Sequence, residues 1–80
     1  SPAGTYRVVF TGIDSADDYL RLSAALQGMS VVRKITPVRA SGNTLEVDLE
    51  LLTGLSGFKR MLGDGPLEGG EGDPPVYHLR

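Results

Sequence analysis

Residues 44–51, TLEVDLEL, alternate with a period of two, with Leu45, Val47, Leu49 and Leu51 on one parity and Glu46, Asp48 and Glu50 on the other. Successive strand side chains point to opposite faces, so the stretch predicts a strand with one dry and one wet face. Residues 5–13, TYRVVFTGI, are apolar, aromatic and β-branched, and they predict a second such strand. Tyr6, Val8 and Phe10 fall on its core face, with Arg7, Val9 and Thr11 opposite. Gly12 ends this strand and Ile13 turns back into the core.

The next stretch, DSADDYLRLSAALQGM, has helical spacing. Ser15 is the expected N-cap, Asp18 three residues later completes a capping-box-like pair, and Asp17 and Asp18 suit the positive helix end. Ala16, Tyr19, Leu20, Ser23 and Leu26 form the expected stripe, with Leu22 at its margin and Gly28 as a left-handed cap. Residues 30–40, SVVRKITPVRA, predict a strand that Pro37 confines to an edge or a bulge, because proline cannot donate to a ladder. Ser41-Gly42-Asn43 reads as a hairpin turn in which Gly and Asn take positive φ.

Residues 53–63 place Leu55, Phe58, Met61 and Leu62 at helical spacing, capped by Thr53 or Ser56 at the start and Gly63 at the end. Gly54 and Gly57 weaken that helix by about 1 kcal/mol each relative to Ala, so it depends on packing. Residues 63–75 read as a flexible glycine-rich loop, and VYHLR, residues 76–80, as a short closing strand whose two preceding prolines suit an edge. The order βαββαβ predicts an α+β, ferredoxin-like sandwich. Its mostly antiparallel four-stranded sheet takes the order 4-1-3-2, with two helices on one face. The 80 residues form a single domain, with residues 1–4 as a tail. The start, Ser1-Pro2-Ala3 without methionine, suggests a fragment of a longer protein.

Composition narrows the chemistry. The net charge is −2, and three carboxylates on the wet face of the third strand oppose phosphate, so nucleic acid is not an expected partner. With no cysteine there is no thiolate metal site and no cysteine nucleophile. The turn after the first strand, GIDSADD, lacks both the Cys-x-x-Cys of a metal chaperone and the arginine of an acylphosphatase-like phosphate loop. Walker-type glycines and lysine are absent too. Asp64, Glu68, Glu71 and Asp73 match no EF-hand spacing and read as a solvated loop. His78 has no evident nucleophile partner, Asp14, Asp17 and Asp18 read as capping residues, and Tyr19 and Tyr77 as core-edge aromatics. No cofactor or metal is expected, the chain is not expected to be an enzyme, and no apolar run is long enough to insert into a membrane.

The remaining candidate is the wet sheet face. Arg7, Thr11, Glu46, Asp48 and Glu50 form a possible docking face for a protein partner or a second copy, and the edge strand offers a second route. The competing expectation is a solvated face whose acids are balanced by Arg33, Lys34 and Arg39 on the neighbouring strand. A small-ligand regulatory domain of the amino-acid-binding type, with ligand held between paired subunits, is the alternative function.

Gly12-Ile13 before the helix, Asp18-Tyr19 within it, the Gly-Asn hairpin followed by alternating leucines, and the closing Tyr77-His78-Leu79-Arg80 carry a resemblance. The chain resembles the C-terminal domain of an uncharacterised bacterial family, the domain of unknown function two-thousand-sixty-six. The resemblance implies a protein of the periplasm or cell envelope of a Gram-negative bacterium, made with a signal peptide. It implies no activity and no functional residues, and the long glycine-rich loop departs from it. Interaction or assembly within the envelope is the expected role.

Overall fold

The computed structural model describes residues 2–80. Among them lie seven elements in the order β1 (Gly4–Thr11), α1 (Ala16–Gln27), β2 (Val32–Ser41), β3 (Thr44–Leu51), α2 (Gly54–Leu62), β4 (Leu67–Glu71) and β5 (Val76–Leu79). The five strands make one mixed sheet in the order β2-β3-β1-β5-β4. β1 pairs antiparallel with β3 and parallel with β5, and the two outer pairs are antiparallel hairpins. The arrangement is α+β and roughly ferredoxin-like. The four-stranded order 4-1-3-2 is corrected, because a fifth strand exists and the closing strand is not at an edge.

The fifth strand lies within the expected flexible loop. Leu67 is 1% exposed and joins the core cluster, anchoring a strand that pairs with β5 from Leu67↔Leu79 to Glu71↔Val76. The glycines that made this segment look unstructured are what let it fit. Gly70 has φ +99°, and a Cβ there would lie 2.8 Å from the Tyr77 ring. β4 thus passes over Tyr77 with no side chain in the way.

The core face follows the sequence alternation. Val8 and Phe10 of β1, Val47, Leu49 and Leu51 of β3, and Tyr77 and Leu79 of β5 are buried against Leu22 and Leu26 of α1 and Phe58 of α2. Tyr77 is therefore a core residue: it lies 6.1 Å from Phe10 and meets Phe58 edge-on at 5.5 Å. In α1 the buried stripe is rotated from the expected one. Leu22 and Leu26 are buried, whereas Leu20 is 62% exposed. Gly28 has φ −76°, an ordinary right-handed value, not the left-handed cap expected. In the β2–β3 hairpin only Gly42 takes positive φ; Asn43 does not. β2 is one of the two edge strands, and its pairing shifts register between Val32 and Lys34 and between Pro37 and Arg39, so Pro37 is both at an edge and beside a bulge.

α2 starts at Thr53, whose side chain makes no capping hydrogen bond. It lies instead over Gly57, where a Cβ would come 2.0 Å from Thr53 Oγ1. Gly57 is a close-approach position, and its weakness as a helix former is offset by that contact and by Phe58. Gly57→Ala is accordingly expected to destabilise the domain by about 1–3 kcal/mol, the usual range for overpacking, although alanine is the better helix former. A urea melt measures it, and a rise in midpoint would contradict the geometry.

Candidate functional site

The side of the sheet away from both helices carries the polar parity of the strands. Across β1 and β3, Thr5 faces Glu50, Arg7 faces Asp48 and Val9 faces Glu46. Glu46 and Asp48 are two residues apart on one strand face, a spacing of roughly 7 Å, which one guanidinium can bridge. Arg7 does so: Nε donates to Asp48 Oδ1 at 2.5 Å and Nη1 donates to Glu46 Oε2 at 2.8 Å. Nη2 adds a longer contact of 3.4 Å to Asp48 Oδ2. The planar fork of arginine suits this geometry, which the compact ammonium of lysine could not reproduce.

The hydrogen bonds from Arg7 hold the Asp48 carboxyl below its ordinary 3.8, against a smaller opposing effect of desolvation. Hydrogen bonds to Asp48 and Glu46 in turn raise the Arg7 guanidinium. The ionised form of Asp48 is thus favoured in the folded state. Its contribution to stability is present above the unfolded value of 3.8 and is lost as pH falls through the lower folded value. Arg7→Gln should return the Asp48 titration to near its ordinary value and shallow the acid limb of the stability curve. Carboxyl NMR titration measures it, and an unmoved midpoint would contradict the bridge.

The five predicted face residues do not form one cluster. Arg7, Glu46 and Asp48 are joined. Glu50 lies one step further along β3, between Thr5 and Lys34 in register, and makes no ion pair among the described residues. Thr11 belongs to a separate pair, its Oγ1 3.0 Å from His78 Nδ1. Gly12, at φ +82°, leaves room for that ring, since a Cβ would come 2.8 Å from His78 Cε1. His78, to which sequence spacing alone assigns no role, is held at the parallel β1–β5 register, and Glu68 faces it from β4. That row could be read only from the strand order.

The balance of the acidic stripe also differs from expectation. Lys34 and Arg39 of β2 do face Glu50 and Glu46 in register. Yet neither they nor Arg33 forms an ion pair among the described residues; the cation that holds the stripe is Arg7 of β1. The two register shifts of β2 break its alternation beside the stripe, whereas Arg7 stands directly opposite Asp48 in an unbroken ladder. The outermost strand is left with three uncommitted cations, and the bulge residue Val38 is 44% exposed among them.

Three other acidic groups, Asp18, Glu68 and Glu71, are committed locally. Asp18 accepts from the Asp14 N–H and from Arg21, which together lower its pKa, and its own N–H donates to Ser15 Oγ at 3.1 Å. Glu68 pairs with Arg80 and Glu71 with Lys59. Among the described residues no group of three or more potential ligands gathers to hold a metal, and no helix is long and apolar enough to cross a membrane. The hollows of the open face are shallow and polar, one between Arg39 and Glu46 and one between Lys34 and Glu50. A narrow apolar crevice runs between α1 and β2, bounded by Tyr19, Leu26, Ile35 and Pro37.

Comparison with protein-family models, characterised proteins and solved structures gave no match.

Proposed function

We propose that this domain is a non-enzymatic interaction or assembly module of a bacterial cell-envelope protein, and that β4 is an addition to a ferredoxin-like core of four strands. The observation that carries the reading is the state of the outer strand. β2 is ten residues long, its stretch from Thr36 to Ser41 is exposed throughout, and its three cations form no ion pair among the described residues. A polar sheet face continues inward from it, through Glu50 to the Arg7 bridge and on to Thr11. The envelope location rests on the resemblance to the domain of unknown function two-thousand-sixty-six.

Sedimentation of the domain over a wide concentration range, with capture from a Gram-negative envelope extract, tests the reading. Saturable capture of a defined partner, or a discrete oligomer, is the expected result. A domain that stays monomeric and captures nothing above an inert control would overturn it.

The second reading is a small-ligand regulatory domain binding an amino acid between paired subunits. The apolar crevice between α1 and β2 is too narrow to hold an amino acid within one copy, so this reading requires a pocket formed between two copies. A dimer that forms only with an added amino acid is its signature.

A further inference from the structure

We propose that β2 is the recognition strand for an acidic, extended segment of a partner protein, held by Arg33, Lys34 and Arg39. This rests on the interaction-module reading and names the chemistry of the partner. Charge complementarity carries it. From the middle of the sheet outward, the open face runs basic at Arg7, acidic at Glu46, Asp48 and Glu50, and basic again at Lys34 and Arg39. Arg7 is spent on two of the acids, so the outermost cations keep their charge for a ligand. An acidic segment laid along β2 continues the alternation.

The mode of contact follows from the backbone. Pro37 supplies no N–H, and the register shifts at Val32/Lys34 and Pro37/Arg39 break the regular edge. These features blunt an edge against ladder pairing. Recognition therefore runs through side chains. Lys34 and Arg39 lie roughly 15 Å apart along the strand, which a short extended segment spans, and Val38 offers an apolar contact between them. A second copy of this chain is a poor occupant, because its own β2 would bring three like charges to the contact. Nucleic acid, which is held through many phosphates by a broad basic surface, is disfavoured because the three cations are an isolated group on a chain of net charge −2.

The test is a titration of the isotope-labelled full chain, followed by amide NMR. The probes are a capped peptide alternating glutamate with threonine, its lysine counterpart, and an oligothymidylate of matching length. The glutamate peptide is expected to give saturable shifts confined to residues 32–41, weakened by added salt. R33Q/K34Q/R39Q should weaken its binding by about tenfold or more, with the spectrum otherwise unchanged. Arg60 on α2 is a built-in control, since it is exposed and also forms no ion pair among the described residues. Equal shifts around Arg60, tighter binding of the oligothymidylate, or peptide binding that survives the triple substitution would each overturn the inference. A partner captured equally well by the wild-type and triple-substituted chains would overturn it too, while leaving the module reading intact.

Discussion

Phe58→Ala is expected to destabilise the domain by about 3–5 kcal/mol, the range for removing a fully buried aromatic side chain. A domain of this size has a total stability of only about 4–12 kcal/mol, so the variant keeps a small remainder or fails to fold. Phe58 is fully buried, packs edge-on against Tyr77, and sits on a nine-residue helix that contains two glycines. That helix has little intrinsic stability, and Phe58 is its main anchor. Met61 lies on the same sequence stripe but is 55% exposed, so Met61→Ala should be close to neutral. Thermal melts of the two variants side by side measure the difference, at roughly 4–8 °C per kcal/mol for a chain this short. Equal melting points would contradict the packing described for α2.

Leu67→Ala is the second large expectation, at about 2–5 kcal/mol. It separates two pictures of the glycine-rich segment. In a flexible loop the substitution would do almost nothing. In the structure Leu67 is buried in the core and starts β4, so its loss opens a cavity under the outer hairpin. Gly70→Ala should be destabilising for an independent reason, since it demands a side chain at φ +99° against the Tyr77 ring. A denaturant midpoint measures both. If Leu67→Ala leaves it in place, β4 is not part of the cooperative unit.

These two sites mark the boundary of what the sequence makes legible. Local signals carried through: the alternation of residues 44–51, the Ser15 cap and the edge position of β2 around Pro37 all appear in the structure. Their physics acts over a few residues. β4 was hidden because Gly69 and Gly70 carry almost no strand propensity, and only their neighbours across the hairpin, the Val76 carbonyl at Gly69 and the Tyr77 ring at Gly70, explain why glycine is needed. In α1 the spacing allowed neighbouring stripes, and packing onto the sheet selected Leu22 over Leu20. The open face was legible in part. Parity placed Arg7 opposite the core residues and Glu46, Asp48 and Glu50 on a wet face. Which cation would take the acids depended on strand neighbours and on two bulges in β2, and neither is written locally. The Thr11–His78 pair likewise required the parallel β1–β5 register, set by residues 67 apart in the chain.

On the proposed function, the cations of β2 are not needed by the fold and are available to a partner. The most direct measurement compares R33Q/K34Q/R39Q with the wild-type chain in two assays run together, urea unfolding and capture from envelope extract. The expected result is an unchanged unfolding midpoint with loss of the captured partner. A fall in the midpoint with capture retained would contradict the account, because it would show the three cations holding the acidic stripe rather than a partner.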